Sequence, residues 1–228
     1  MLFINGHYQE VLTFPAGEQQ VNLKEEFLNL NGQNVVTWAY RGDQSILELF
    51  QIMSVFAHYP HSLDIEYEIL YMPYARMDRI KSKNQCFSLD MITKMIRNLT
   101  SKTIKVLEPH SDVTLQKLQA GYMGLNGAYS YYYWTMDKLR GIGFDPELDA
   151  LVFPDKGAMN RYANRYPEAK NLIVGSKNRD FATGEIISIT AELVKGTATV
   201  RKAFVIDDIC SYGGTFKRLK TDALVHFC

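Results

Sequence analysis

Short apolar runs alternate along this chain with segments of helical spacing, and no other feature limits its possible folds as strongly. Val35–Tyr40 (VVTWAY) reads as a buried strand. The following stretch, Gln44–His58, sets Ile46, Leu49, Phe50, Met53 and Phe56 along one helical face. Ile65–Met72 is a second strand, stopped by Pro73, and Ser88 is placed to cap a helix running to Leu99. Thr103–Leu107 is a third strand, ending at Glu108-Pro109-His110. A second series follows: strand Ala150–Phe153, helix Gly157–Tyr166, then strands Asn171–Gly175, Glu185–Leu193 and Arg201–Ile206. Strands alternating with helices predict parallel βαβ units and a doubly wound α/β sheet. Such sheets bind ligands beyond the carboxyl ends of their strands.

Between the two series lies Gly121–Gly143, rich in glycine and tyrosine, with Tyr131-Tyr132-Tyr133-Trp134 inside it and a helix ending at Gly141. The 228 residues suit one large domain or two small ones. The boundary is placed in this stretch, giving domains 1–125 and 126–228. Lysine plus arginine and aspartate plus glutamate both count 25, so the net charge is zero. That balance argues against wholesale binding to nucleic acid or a membrane surface. No apolar run reaches the ~18 residues of a membrane span, and MLFINGHYQE lacks the marks of a signal peptide. Cys86, Cys210 and Cys228 have no metal-ligand spacing, so neither a disulfide scaffold nor a zinc knuckle is expected, and the cytoplasm is the default compartment.

The polar residues after each strand carry the chemistry. Ala203–Thr215 (AFVIDDICSYGGT) is the sharpest segment. An apolar run is followed by Asp207 and Asp208, then by the turn Gly213-Gly214 and by Thr215 at a helix start. Carboxylates accept hydrogen bonds from sugar hydroxyls, while turn N–H groups and a helix N-terminus favour a phosphate. An acidic turn between strand and helix has the same composition. Arg76, Asp78 and Arg79 follow the second strand, and guanidinium forks suit polyphosphates, although a surface ion-pair cluster looks alike. Lys177 and Arg179 alternate, so on an extended segment they point the same way, as they would in a solvated hairpin.

The Asp-Asp, loop, Gly-Gly-Thr pattern resembles the phosphoribosyl pyrophosphate (PRPP) loop of type I phosphoribosyltransferases. Further segments resemble ribose-phosphate pyrophosphokinases, which share that fold. Tyr71–Arg79 (YMPYARMDR) looks like their Tyr-Ala-Arg-Gln-Asp-Arg stretch, with Met77 in place of Gln and Ile80 where a basic residue is frequent. Thr13–Glu18 (TFPAGE) resembles their Phe-Pro-Asp-Gly-Glu loop, with Ala16 in place of Asp. Val106–Asp112 (VLEPHSD) stands in the place of a strand-end histidine, and Leu151–Ala158 (LVFPDKGA) resembles a Pro-Asp-x-Gly segment. Ser176–Glu185 (SKNRDFATGE) matches a Lys-x-Arg flexible loop.

The resemblance runs from about Phe14 to Thr215. It implies two phosphoribosyltransferase-like domains with doubly wound parallel sheets, and transfer of the diphosphoryl group of ATP to the C1 hydroxyl of ribose 5-phosphate. Asp207, Asp208, Ser211, Tyr212, Gly213, Gly214 and Thr215 would hold ribose 5-phosphate, although Ser211 and Tyr212 replace the frequent Asp and Thr. Lys177, Arg179 and His110 would be catalytic, and Phe14, Glu18, Arg76, Asp78 and Arg79 would bind ATP. His110 and Asp155 would position magnesium. A cytoplasmic homo-oligomer, dimer or hexamer, follows from the same resemblance. A phosphoribosyltransferase that consumes PRPP, and a non-catalytic regulatory paralogue, remain open alternatives. Thr215 leaves 13 residues to the end (228 − 215), so the second domain is expected to be incomplete at its C-terminus.

Overall fold

The computed structural model describes residues 1–120, 127–180, 186–197, 199–210 and 213–223. The chain divides into two compact units, Met1–Tyr133 and Trp134–Cys228.

The first unit opens with four strands of three residues each: β1 (Leu2–Ile4), β2 (His7–Gln9), β3 (Val11–Thr13) and β4 (Gln19–Val21). They are too short for any periodicity to reveal. One sequence signal does exist for the first hairpin. Asn5 and Gly6 both take positive φ, 50° and 80°, as an Asn-Gly hairpin turn requires. β5 (Asn34–Trp38), β6 (Ile65–Ile69), β7 (Thr103–Leu107) and β8 (Ala128–Tyr131) run parallel in a mixed sheet of order β2-β1-β5-β6-β7-β8, whose β1 pairs antiparallel with both β2 and β5. α1 (Ile46–Phe56) buries Leu49, Ile52, Met53 and Phe56 in the core that also holds Trp38, Tyr67, Ile69 and Val106. α2 (Ser88–Leu99) and α3 (Val113–Gln119) also flank the sheet.

One expectation for this unit needs correction. Ser88 is the first residue of α2 rather than its cap. Phe87 holds the cap position, packed against the core beneath the Lys117 ammonium, so apolar packing sets the entry angle. The proposed division at 125/126 falls among residues 121–126, outside the described chain. Beyond it, β8 pairs with β7 from Ile104–Ala128 to Leu107–Tyr131, and the Tyr133 N–H donates to Glu108 at 3.1 Å. Those bonds join Ala128–Tyr131 to the first sheet and Tyr133 to the first unit.

The second unit holds α4 (Met136–Gly141), β9 (Ala150–Phe153), α5 (Lys156–Tyr162), β10 (Asn171–Arg179), β11 (Ile186–Lys195), β12 (Ala203–Val205) and α6 (Gly214–Arg218). Its strand order is β11-β10-β9-β12. β9 runs parallel to both neighbours, and Ala150, Val152, Ile173, Ile189 and Leu219 form the core. β11 departs from the expected parallel arrangement and pairs antiparallel to β10. The physical reason is length: a parallel return needs a crossover of about a dozen residues, and only six separate these strands (186 − 179 − 1). At the base of the sheet Asp149 is fully buried, and Arg201 donates to it from Nε at 2.9 Å and Nη2 at 2.8 Å.

No helix among the described residues is long and apolar enough to cross a membrane.

Candidate functional site

Strand ends supply the polar groups of the second unit. β9 finishes at Phe153, and Pro154 delivers Asp155 to the N-cap of α5, where its Oδ1 accepts the Ala158 N–H at 2.9 Å. Its Oδ2 accepts from Lys177 Nζ at 2.8 Å. Lys177 lies well inside β10, opposite Ile189 of β11. The two cationic positions therefore sit on a regular strand of a hairpin, where a flexible loop was expected. A register shift separates Asn178 from Arg179, whose side chain lies outside the description. Burial opposes ionisation of Asp155, but the Lys177 hydrogen bond, the Ala158 N–H and the charges of Lys177 and Arg161 together hold its carboxyl below the ordinary value.

β12 ends one residue before Ile206, and Asp207 and Asp208 follow. Their side chains are 13% and 3% exposed, so both carboxylates are largely desolvated. Asp207 accepts the Asp208 N–H at 3.0 Å. Burial first, then the neighbouring Asp208, push the Asp207 carboxyl up to about 7. Arg161, from α5, donates to Asp208 at 2.6 Å and stands 3.6 Å from Asp207. Arg161 was not legible in the sequence. Its only signal is a basic residue six positions after a strand-end aspartate, and its partner lies 47 residues further on.

After the acidic pair, Gly213 takes φ 72° at the N-cap of α6, a conformation that favours glycine, and Gly214 and Thr215 begin the helix. Among the described residues, a Cβ at either glycine would meet nothing within 4 Å. Ser211 and Tyr212 lie outside the described residues.

In the first unit the predicted residues also follow strand ends. Asp78 is buried after β6 and takes two bonds from Arg79, Nε at 2.8 Å and Nη2 at 3.2 Å. The Arg79 hydrogen bond, with Ser111 and the His110 charge acting in the same direction, holds the Asp78 carboxyl below its usual range. Arg76 is exposed and makes no ion pair among the described residues. His110 follows β7, immediately after Glu108 with φ 44° and the buried Pro109. Phe14 and Glu18 form the tip of the β3–β4 hairpin, joined by Phe14 N–H to Glu18 O at 2.8 Å, and both are exposed. The structure adds Tyr40, Tyr71 and Tyr74 at the same strand ends. Tyr40 and Tyr71 rings lie 5.6 Å apart, and Tyr40 donates to Asp43 at 2.7 Å. Hydrogen bonds from Tyr74 and then Tyr40 lower the Asp43 carboxyl.

Among the described residues, no three or more His, Cys, Asp and Glu side chains assemble a metal cage. Asp155 still fits a magnesium ion. Its side chain is 42% exposed, it is ionised, and each oxygen keeps a lone pair beyond its one hydrogen bond. Magnesium keeps several waters and leans on substrate phosphates, so one such carboxylate suffices on the protein's side.

The architecture and the strand-end acidic pair define a phosphoribosyltransferase-like α/β fold. No family model matches the chain. It is 26% identical over 204 residues to the ribose-phosphate pyrophosphokinase of Sulfolobus acidocaldarius, covering 89% of this chain and 66% of that protein. It is 24% identical over 209 residues to ribose-phosphate pyrophosphokinase 2 of Archaeoglobus fulgidus, covering 89% of this chain and 65% of that one. The chain thus spans just under two thirds of these relatives. The crystal structure of phosphoribosylpyrophosphate synthetase from Mycobacterium smegmatis superposes with a TM-score of 0.66 over 95% of this chain and 69% of that chain, at 17% identity. The chain is thus similar in sequence to ribose-phosphate pyrophosphokinases and in fold to a phosphoribosylpyrophosphate synthetase.

One result is expected of the acidic pair alone. The folded Asp207 holds its proton up to about 7, whereas the unfolded one releases it near 3.8. The folded form therefore binds more protons between these values, and stability falls as pH rises through that window. Asp207→Asn should stabilise the second unit at pH 8 by about 1–3 kcal/mol and flatten the decline, as read by urea denaturation at pH 5 and 8. An unchanged pH dependence would contradict the assignment.

Proposed function

We propose that the chain is a ribose-phosphate diphosphokinase: the C1 hydroxyl of ribose 5-phosphate attacks the β-phosphorus of ATP, the bridging oxygen leaves with AMP, and PRPP is formed. The hydroxyl proton passes to solvent. The observation that carries the reading is the second unit's row of charged groups on neighbouring strands. Lys177 on β10, Asp155 after β9 and Asp207–Asp208 after β12 stand on adjacent strands. Such a set would supply a cation for migrating phosphoryl charge and, across the intervening β9, a carboxylate pair for ribose hydroxyls.

Lys177 would stabilise charge on the diphosphoryl group, with Arg179 assisting, because phosphoryl transfer relies on positioning and electrostatics. Asp207 and Asp208 would accept from the ribose hydroxyls, and Gly213, Gly214 and Thr215, with Ser211 and Tyr212, would cradle the 5-phosphate. Arg76, Asp78, Arg79, Phe14 and Glu18 would bind the nucleotide. Exposed and unpaired among the described residues, Arg76 has the fork a phosphate needs. Asp155 of the second unit and His110 of the first are the residues that would hold magnesium, which would supply neutralisation of phosphate charge. A cytoplasmic homo-oligomer belongs to the same proposal.

The test is direct. Incubation with ATP, magnesium and ribose 5-phosphate should yield AMP and PRPP in equal amounts. Turnover of PRPP with a nucleobase, and no AMP, would replace this reading with that of a phosphoribosyltransferase.

A further inference from the structure

We infer that Arg161 is a positioning residue for the acidic pair: its guanidinium anchors Asp208 and so leaves Asp207 to face a sugar hydroxyl. The inference rests on the ribose-binding role proposed above for Asp207 and Asp208.

Two carboxylates on consecutive residues, both largely desolvated, oppose each other's ionisation. Only a nearby cation lets such a pair carry charge, and an arginine is protonated at every accessible pH. Arg161 fills this role geometrically. Its side chain is 18% exposed, its Nη2 lies 2.6 Å from Asp208 Oδ1, and Asp207 Oδ1, at 3.6 Å, is beyond hydrogen-bond reach. The two aspartates are therefore unequal. Asp208, nearly wholly buried, is bound by the guanidinium. Asp207, more exposed and tied to the backbone N–H of its neighbour, keeps capacity to accept from a ligand. The titration of Asp207 at about 7 fits this inequality.

The mounting of Arg161 adds a second argument. α5 starts at its N-cap Asp155, which is bonded to Lys177, and Arg161 is six residues further along. One short helix therefore carries both groups, and its Arg161 side chain runs back along it: a Cβ on Gly157 would stand 3.1 Å from Asp155 Oδ1 and 3.8 Å from Arg161 Nη1. α5 thus holds the phosphoryl-side carboxylate and the ribose-side guanidinium on one rigid element. A lysine at position 161 would supply charge but not the planar fork that fixes a carboxylate's orientation.

The experiment compares the whole chain with Arg161→Gln, Arg161→Lys and Arg161→Ala. Calorimetry measures binding of ribose 5-phosphate and, separately, of ATP with magnesium. Arg161→Gln should weaken ribose 5-phosphate binding more than tenfold while ATP binding changes less than twofold, with Arg161→Lys intermediate. Millimolar guanidinium should restore part of the sugar-phosphate binding of Arg161→Ala. A parallel fall in both affinities, or no rescue, would show a merely structural role and overturn the inference. Equal sugar-phosphate binding by wild type and Arg161→Gln would overturn this inference alone. A wild type that binds no ribose 5-phosphate would overturn the ribose-binding reading itself, and this inference with it.

Discussion

Lys177→Ala should lower turnover by about 10²–10³-fold, the usual effect of removing one preorganised group from developing phosphoryl charge, while nucleotide affinity changes little. Lys177 is suited to this because its ammonium is already placed. β10 holds the backbone in a ladder with β11, the side chain is only 14% exposed, and Asp155 fixes Nζ at 2.8 Å. A preset cation needs no reorganisation when charge develops. The substitution has a second signature. The Lys177 hydrogen bond is the leading influence that lowers the Asp155 carboxyl against burial, so its loss should raise that carboxyl toward or above 3.8. The acid limb of the rate profile should move to higher pH accordingly. Steady-state kinetics with separate nucleotide titration decide the matter: equal losses in turnover and in nucleotide affinity would contradict the assigned role.

Arg201→Ala should destabilise the second unit at pH 7, since it leaves the buried Asp149 charge without its guanidinium partner. Asp149 is fully buried at the start of the sheet, held by two guanidinium bonds and by the Asp145 N–H at 2.8 Å. Burial pushes its carboxyl up, but these bonds outweigh it, so the folded value lies below 3.8. A carboxyl lowered on folding contributes stability above its unfolded value, and that contribution fades as pH falls through the folded value. The penalty of the substitution should therefore be full at pH 7 and shrink below pH ~4. Denaturant curves at the two pH values test this, and a penalty independent of pH would rule out the buried pair as its source.

The elements that hydrophobic period specified most strongly are the ones legible in the chain. Thr103–Leu107 and Ala150–Phe153 are strands with the expected bounds, and the spacing of Leu49, Met53 and Phe56 belongs to α1. In each case the local pattern and the buried face agree. The four N-terminal strands were not legible, because three residues carry no period. The parallel expectation for β11 failed because period reveals a strand but not its direction, which the short connection decides. The candidate site was legible where its residues stand together after a strand, as Asp207 and Asp208 do. It was not legible at Arg161, whose meaning depends on a partner 47 residues away.

By itself the sequence determined the α/β class and the set of polar residues that follow the strands, because apolar period and strand-end placement are local properties of the chain. Only the tertiary structure decided which of those residues meet. Lys177 reaches Asp155 because β10 lies beside β9, and Arg161 reaches Asp208 because α5 and the end of β12 converge. The same packing made Asp207 and Asp208 unlike each other. Identical neighbours in the chain acquire different burial and different partners, and through these a different readiness to hold a proton or a ligand.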